Sequence, residues 1–358
     1  MNTFGNFMNS ILKYTDKWDY YNISNCSYGS YENVFKDSRI FIESILSHGE
    51  KLSDFDRYQF GFMEDGFRLK HTVSIYFLGL IIYENVSKIR SAINDYIRQV
   101  DLYINEANTP FSYFWFLICF YHDFGYSFES EDRNTAIKRL VKFFDEYIPY
   151  ALPRRNHRTG VPRVISDNIQ KYSIFRYVND DKLDHGIVAG LLFWYEREKD
   201  YFTRRKNHSE ETFIEKNLLW SKKMLYHIHL PVAWTISAHN VWFRKPNSEN
   251  SDIYRKYGLE KLIINRPIVR LRKHPMLFLL SIVDTIDPVK LLSNNNVHNF
   301  NISDLDLIEF KFTRDTIMYR INLNDVVVTP RYKENVVDMN SWLCCHTYYN
   351  NGIFSIRV

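Results

Sequence analysis

The apolar run Phe116-Leu117-Ile118-Cys119-Phe120-Tyr121 ends in His122-Asp123, followed by Phe124-Gly125. An imidazole and a carboxylate placed where water is excluded are costly unless each finds a partner. This junction therefore constrains the fold more than any other stretch of the chain. Either the pair closes a structural hydrogen bond, or its two side chains converge with others on a metal ion. The same juxtaposition recurs: His71 in RLKHTVSIYF, His185 in DHGIVAGLLFW, His239 in WTISAHNVW and Asp284 in LLSIVDTIDP all interrupt apolar helical segments. Neighbouring helix positions lie about 100° apart, so His122 and Asp123 can face one centre only where the helix ends, just before Gly125. Four imidazoles and two carboxylates make a nitrogen–oxygen donor set suited to Fe, Mn, Co, Ni or Zn rather than Mg or Ca. Asp123, with two oxygens, can bridge two ions.

The 358 residues, 45% of them hydrophobic, are enough for a large core. Apolar periodicity predicts helices over 67–90, 110–122, 130–148, 164–176, 184–199, 209–243 and 275–293. After Asn301, IEFKFTRDTIMYRINLNDVVV and GIFSIRV alternate apolar and polar residues with β-branched enrichment, which predicts strands. The expected fold class is mainly α, a helical bundle with a small β-containing C-terminal appendage. Its expected divisions are an N-terminal helical extension over 1–60, a main domain over 61–298 and the β-rich appendage over 299–358.

The charge balance, 46 basic against 42 acidic residues, gives a net +4 that announces no nucleic-acid binder and repels no anionic substrate. Four cysteines without C-x-x-C spacing argue against a zinc ribbon or a disulfide framework and point to a reducing, cytoplasmic setting. The start of the chain has no basic segment leading into an apolar one, so no signal peptide is expected. The longest apolar runs are about half the ~20 residues of a membrane-spanning helix, so no membrane partner is expected. Residues 149–163, PYALPRRNHRTGVPR, read as a basic loop in which Arg154, Arg155, Arg158 or Arg163 could clamp phosphate or simply face solvent. His227 and His229 stand two apart in YHIHL, on different faces of a helix, so both cannot join one centre.

In the order H…HD…H…H…D on successive helices, these residues resemble the HD-domain superfamily of metal-dependent phosphohydrolases, all-helical proteins named for the adjacent pair. The similarity spans roughly residues 66 to 290: RLKHT is similar to the first motif, HDFG to the signature, DHGIVAGLLF to the third motif and SIVDTID to the last. The resemblance implies that 61–298 is an HD-type hydrolase domain in which His71, His122, Asp123 and Asp284 hold one divalent transition metal. His185 and His239, with bridging Asp123, would hold a second. It further implies hydrolysis of a phosphoester or phosphoanhydride bond in a nucleotide, cyclic nucleotide or short oligonucleotide by a metal-activated water, with Asp123 catalytic and Asp184 helping to orient the centre. Arg68 matches an arginine often found three residues before the first histidine, which implies a substrate contact. Tyr126 departs from the lysine many members carry after HD-x-G, and the Gly-Tyr-Pro element of the cyclic-dinucleotide branch is absent from the chain. The implied partner is a nucleotide or other phosphorylated small molecule, with single-stranded nucleic acid a further candidate. A branch of the superfamily uses the same ligands for di-iron oxygenase chemistry, which is the alternative enzyme; a non-catalytic nucleotide-binding module is the third reading.

Overall fold

The computed structural model describes residues 1–12, 66–104, 111–141, 163–207, 222–241, 251–263, 268–293, 308–321 and 328–358. These form a helical bundle with a small antiparallel sheet built mostly from the C-terminal residues. After the two-residue strand β1 (Asn2–Thr3) come α1 (Phe4–Leu12), α2 (Gly66–Asn85), α3 (Ser87–Ile104), α4 (Phe111–Tyr121), α5 (Tyr126–Glu129), α6 (Arg133–Val141), α7 (Arg163–Asn179) and α8 (His185–Asn207). Next are α9 (Leu230–Ala238), α10 (Pro275–Ile286) and α11 (Pro288–Ser293), then strands β2 (Ile308–Phe312) and β3 (Thr316–Ile321), helix α12 (Pro330–Asp338), and strands β4 (His346–Asn350) and β5 (Ile353–Arg357). Short helices at Ser251–Lys256 and Glu260–Ile263 lie between α9 and α10.

Four strongly apolar helices are the innermost. Residues 74–82 of α2, 114–121 of α4 and all of α10 are buried, and α9 is buried except at Thr235. A helix apolar all round must be covered on every side, so these four form the middle of the bundle. By contrast α3 is amphipathic: it buries Ile89, Ile93, Ile97 and Val100 at helical spacing and turns its charged face outward. Where the sequence predicts one helix over 67–90, the chain breaks at Val86 between α2 and α3. The Asn85 side chain donates to the Ile81 carbonyl at 2.8 Å, ending the first helix, and the Lys88 N–H then pairs with the Arg314 carbonyl at 3.0 Å.

Pro231 has no N–H to give and crowds the carbonyl four residues back. The preceding residues, Leu225–His229, accordingly widen into a π-helical turn. This turn buries His229 against Phe193, ring centroids 6.1 Å apart, while His227 stacks on Tyr103 at 5.0 Å. Burial, reinforced by the charge of Arg197, pushes the His229 imidazole down to about 3, so it sits there as a neutral core residue.

The sheet has the order β1-β2-β3-β5-β4, every pair antiparallel. Phe310, Tyr319 and Phe354 lie in register across β2, β3 and β5 on the buried face, joined by Phe4. From α12, Tyr332 meets the Tyr319 hydroxyl at 3.0 Å and donates to the Ile286 carbonyl at 3.4 Å, tying the sheet to the end of α10. The expected strands at the C-terminus are present, and β1 is added to them from the other end of the chain. The expected domain limits near 60 and 298 fall among residues outside the described ones. No helix among the described residues is long and apolar enough to cross a membrane.

Helices α8 and α9 approach closely because α8 presents Gly190 to α9. A Cβ there would stand 2.0 Å from Ser237 Oγ and 2.5 Å from the Ala233 carbonyl oxygen, a backbone atom that cannot step aside. Gly190→Ala is expected to destabilise the protein by about 1–3 kcal/mol through forced separation of the two helices. A denaturation midpoint equal to that of the wild type would contradict this crossing.

Candidate metal centre

Most of the polar residues singled out in the sequence stand at helix ends. His122 keeps the helical bond of its N–H to the Ile118 carbonyl (3.0 Å), after which the chain turns, with Phe124 N–H on Tyr121 O and Tyr126 N–H on Asp123 O. That turn swings Asp123 to the side of His122, which a continuing helix would forbid. It also packs onto the start of α8: a Cβ on Gly125 would lie 2.0 Å from the His185 carbonyl oxygen. His185 is the first residue of α8, His239 follows the last of α9, and Asp284 lies in the final turn of α10. His71 enters from the second turn of α2.

These elements bring His71, His122, Asp123, His185, His239 and Asp284 together, all buried. His71 Nε2 lies 3.2 Å from His122 Nε2, 3.1 Å from Asp284 Oδ1 and 3.5 Å from Asp123 Oδ2. Asp123 Oδ1 lies 3.3 Å from His122 Nε2, 3.6 Å from His185 Nε2 and 3.7 Å from His239 Nε2. Two groups result, His71/His122/Asp123 and Asp123/His185/His239, each with donor atoms within 4.8 Å of one another and with Asp123 common to both.

All four imidazoles face the centre through Nε2, because each Nδ1 is engaged elsewhere. His122 Nδ1 donates to the Cys119 carbonyl and His239 Nδ1 to the Ile236 carbonyl, each at 2.6 Å and each three residues back. His71 Nδ1 donates to Asp287 Oδ2 at 2.7 Å, and Asp287 also accepts from the Ser74 hydroxyl. His185 Nδ1 donates to Glu129, whose other oxygen takes Arg176, itself bonded to Asp180 at 2.7 Å. Such outward bonds fix the tautomer and raise the basicity of a metal-binding histidine.

The donor set fits a metal ion. With Nδ1 carrying the proton, His71 and His122 present lone pairs to one another across 3.2 Å, an arrangement that a metal ion or a second proton on His71 can satisfy. Donors sharing an ion at ~2.1 Å stand ~3.0 Å apart at octahedral angles and ~3.4 Å at tetrahedral ones, and the nearest separations around His71 fall in that span. The charges agree. Burial would raise the Asp123 carboxyl, but His122, His239 and His71 hold it well below the usual carboxylate range. Burial likewise opposes ionisation of Asp284, which Lys290 and His71 hold well below that range. Burial and Lys290 push His71 down, yet Asp287 and Asp284 prevail and lift it to about 9. Burial, helped by His71 and His239, carries His122 to about 3 despite Asp123.

Asp184, expected to help orient the centre, acts through the backbone. Its Oδ1 caps α8 by accepting from the Ile187 N–H at 3.0 Å, and its Oδ2 accepts from Asn240 at 2.8 Å, linking the neighbours of His185 and His239. Tyr126 lies flat on His185, centroids 3.7 Å apart and planes 15° apart. The side chain of Arg68 lies outside the described residues, although its backbone belongs to α2. Arg154, Arg155 and Arg158 also lie outside them, as does the side chain of Arg163 at the start of α7.

Three residues at the centre, Glu129, Asp287 and Lys290, were not anticipated. Asp287 had a visible signal, standing three residues after Asp284 in DTIDP; Glu129 in YSFESED and Lys290 in PVKLLS had none. No protein-family model, no curated protein and no solved structure matches this chain.

Metal uptake is expected to displace a proton. At pH 7 the metal-free His71, with its value near 9, carries a proton that an ion must remove, whereas His122 is already neutral. Adding Mn(II) or Ni(II) to weakly buffered metal-free protein at pH 7 should release at least one proton per chain, since His239 is raised as well, with affinity rising as the pH climbs toward 9. Binding with no proton release and no pH dependence would contradict this electrostatic arrangement.

Proposed function

We propose that this chain is a metal-dependent phosphohydrolase of the HD-domain type. It would cleave a phosphoester or phosphoanhydride bond in a nucleotide, cyclic nucleotide or short oligonucleotide, using two divalent transition metals held by His71, His122, Asp123, Asp284, His185 and His239. The observation that carries the reading is the convergence of four Nε2 atoms on Asp123 with every Nδ1 tied outward. A buried histidine that serves only packing has no reason to share this orientation with three others. The expected order of residues along the chain, on successive helices, supports the HD-type assignment.

Divalent ions bound to such donors lower the pKa of a coordinated water toward neutrality and polarise a phosphoryl oxygen. The chain's own part is to hold and orient. Asp123 stays ionised and presents both oxygens, Oδ2 toward His71 and Oδ1 toward His185 and His239. The Glu129–Arg176 pair and Asp287 keep His185 and His71 from rotating. Tyr126, flat on His185 and half-buried, holds the plane of that ring.

The test is hydrolysis of nucleotides, cyclic nucleotides and single-stranded DNA and RNA by protein supplied separately with Mn, Ni, Co and Fe. Asp123 belongs to both groups and His239 to one, so His239→Ala is expected to lower kcat/KM about 10²-fold and Asp123→Ala at least ~10-fold further. Equal, small losses in the two variants would remove the shared role of Asp123. Oxygen consumption by anaerobically iron-loaded protein, without hydrolysis under any metal, would replace the hydrolase by the di-iron oxygenase.

A further inference from the structure

We propose that Lys290 is a substrate-binding residue of this centre, its ammonium receiving a phosphoryl oxygen of the substrate at the mouth of the site. The inference rests on the phosphohydrolase reading and adds to it the group that recognises the anion. Lys290 stands on α11, and its Nζ donates to Asp284 Oδ1, the same oxygen that lies 3.1 Å from His71 Nε2. It is far less covered than Asp284, which it touches, and than the rest of the cluster. Its side chain is 32% exposed, against 7% for Asp284, 3% for Asp123 and 0% for His71 and His122. Of the pair it forms with Asp284, the lysine is the member whose side chain reaches solvent.

The lysine is also held in place by the machinery of the centre. Asp287 Oδ2 accepts the Lys290 backbone N–H at 3.1 Å and the His71 Nδ1–H at 2.7 Å. With Pro288 as the first residue of α11, Asp287 caps that helix and fixes His71 with one carboxylate. One turn of chain thus sets both a candidate metal ligand and a cation beside it. Two divalent ions, if bound, would balance the four carboxylates Asp123, Asp284, Asp287 and Glu129, so the charge of Lys290 would be left for an anion. A phosphoryl group, with several strong acceptors, suits a lysine acting as a point charge next to metal ions.

The experiment uses the full chain loaded with Mn(II), with inorganic phosphate as the probe and calorimetric titration as the readout, alongside Mn content and melting temperature. Lys290→Met keeps the aliphatic stem and removes the charge. It is expected to retain Mn while binding phosphate about 10- to 100-fold more weakly. Lys290→Arg is expected to keep both. If the methionine variant does not fold, Lys290→Gln, which keeps a polar tip, takes its place with the same expectation. Phosphate affinity equal to wild type in the uncharged variant overturns the proposal. So does loss of Mn from that variant, which would make the lysine a support for Asp284 instead. Wild-type protein that holds Mn yet binds no phosphate overturns the phosphohydrolase reading and this inference together. Intact wild-type binding with an unaffected variant overturns the inference alone.

Discussion

Buried nitrogen lone pairs that face one another call for a proton or a metal ion between them, and the His/Asp cluster in the middle of this protein is built of such atoms. Four imidazoles turn Nε2 inward within a set of helices otherwise lined by Phe, Leu, Ile and Trp. In such surroundings an unmatched polar atom costs about 1–3 kcal/mol, and an unmatched charge far more. A proton on His71 answers part of the demand, as its value near 9 indicates. A divalent ion answers all of it, because it can accept His71, His122 and the carboxylates at once.

The inward geometry depends on what lies outside it. His122 and His239 each bond to a carbonyl three residues back, so the end of its own helix orients the ring. His71 and His185 instead rely on carboxylates far away in the chain, Asp287 and Glu129. Asp287 in turn caps the helix that carries Lys290, and Glu129 is anchored by Arg176. The result is a centre whose donors are positioned from several separate helices, with Asp123 at the point where the two groups meet. The sheet contributes from behind through Tyr332, which bonds to Ile286 just before Asp287 and so steadies the end of α10.

Much of this was legible in the sequence for one physical reason. A histidine or aspartate inside an apolar helix stands out against its neighbours, and six such residues did. Of the partners of those residues, only Asp287 gave a signal, three residues after Asp284, and an ambiguous one. Glu129 occupies a short polar helix where an acidic residue needs no explanation, and Asp287 precedes a proline, where it reads as a helix cap. Their relation to the histidines spans 56 and 216 positions, and no local pattern carries information over that distance. The break at Val86 was hidden because the apolar pattern runs on through Val86 and Ile89, and the bond that ends α2 comes from the Asn85 side chain. Strand β1 was hidden because two residues cannot display an alternation. His229 and His227 looked alike in the sequence, and only the π-turn forced by Pro231 separates the buried ring from the stacked one.

The central claim is that this cluster exists to hold metal ions. Anomalous diffraction from crystals of the full chain soaked in Mn(II) tests it most directly. The account predicts one peak bound by Nε2 of His71 and His122 and a second between His185 and His239, with Asp123 between them. Mn(II) found only at surface carboxylates, with the four histidines left in contact with one another alone, would contradict it.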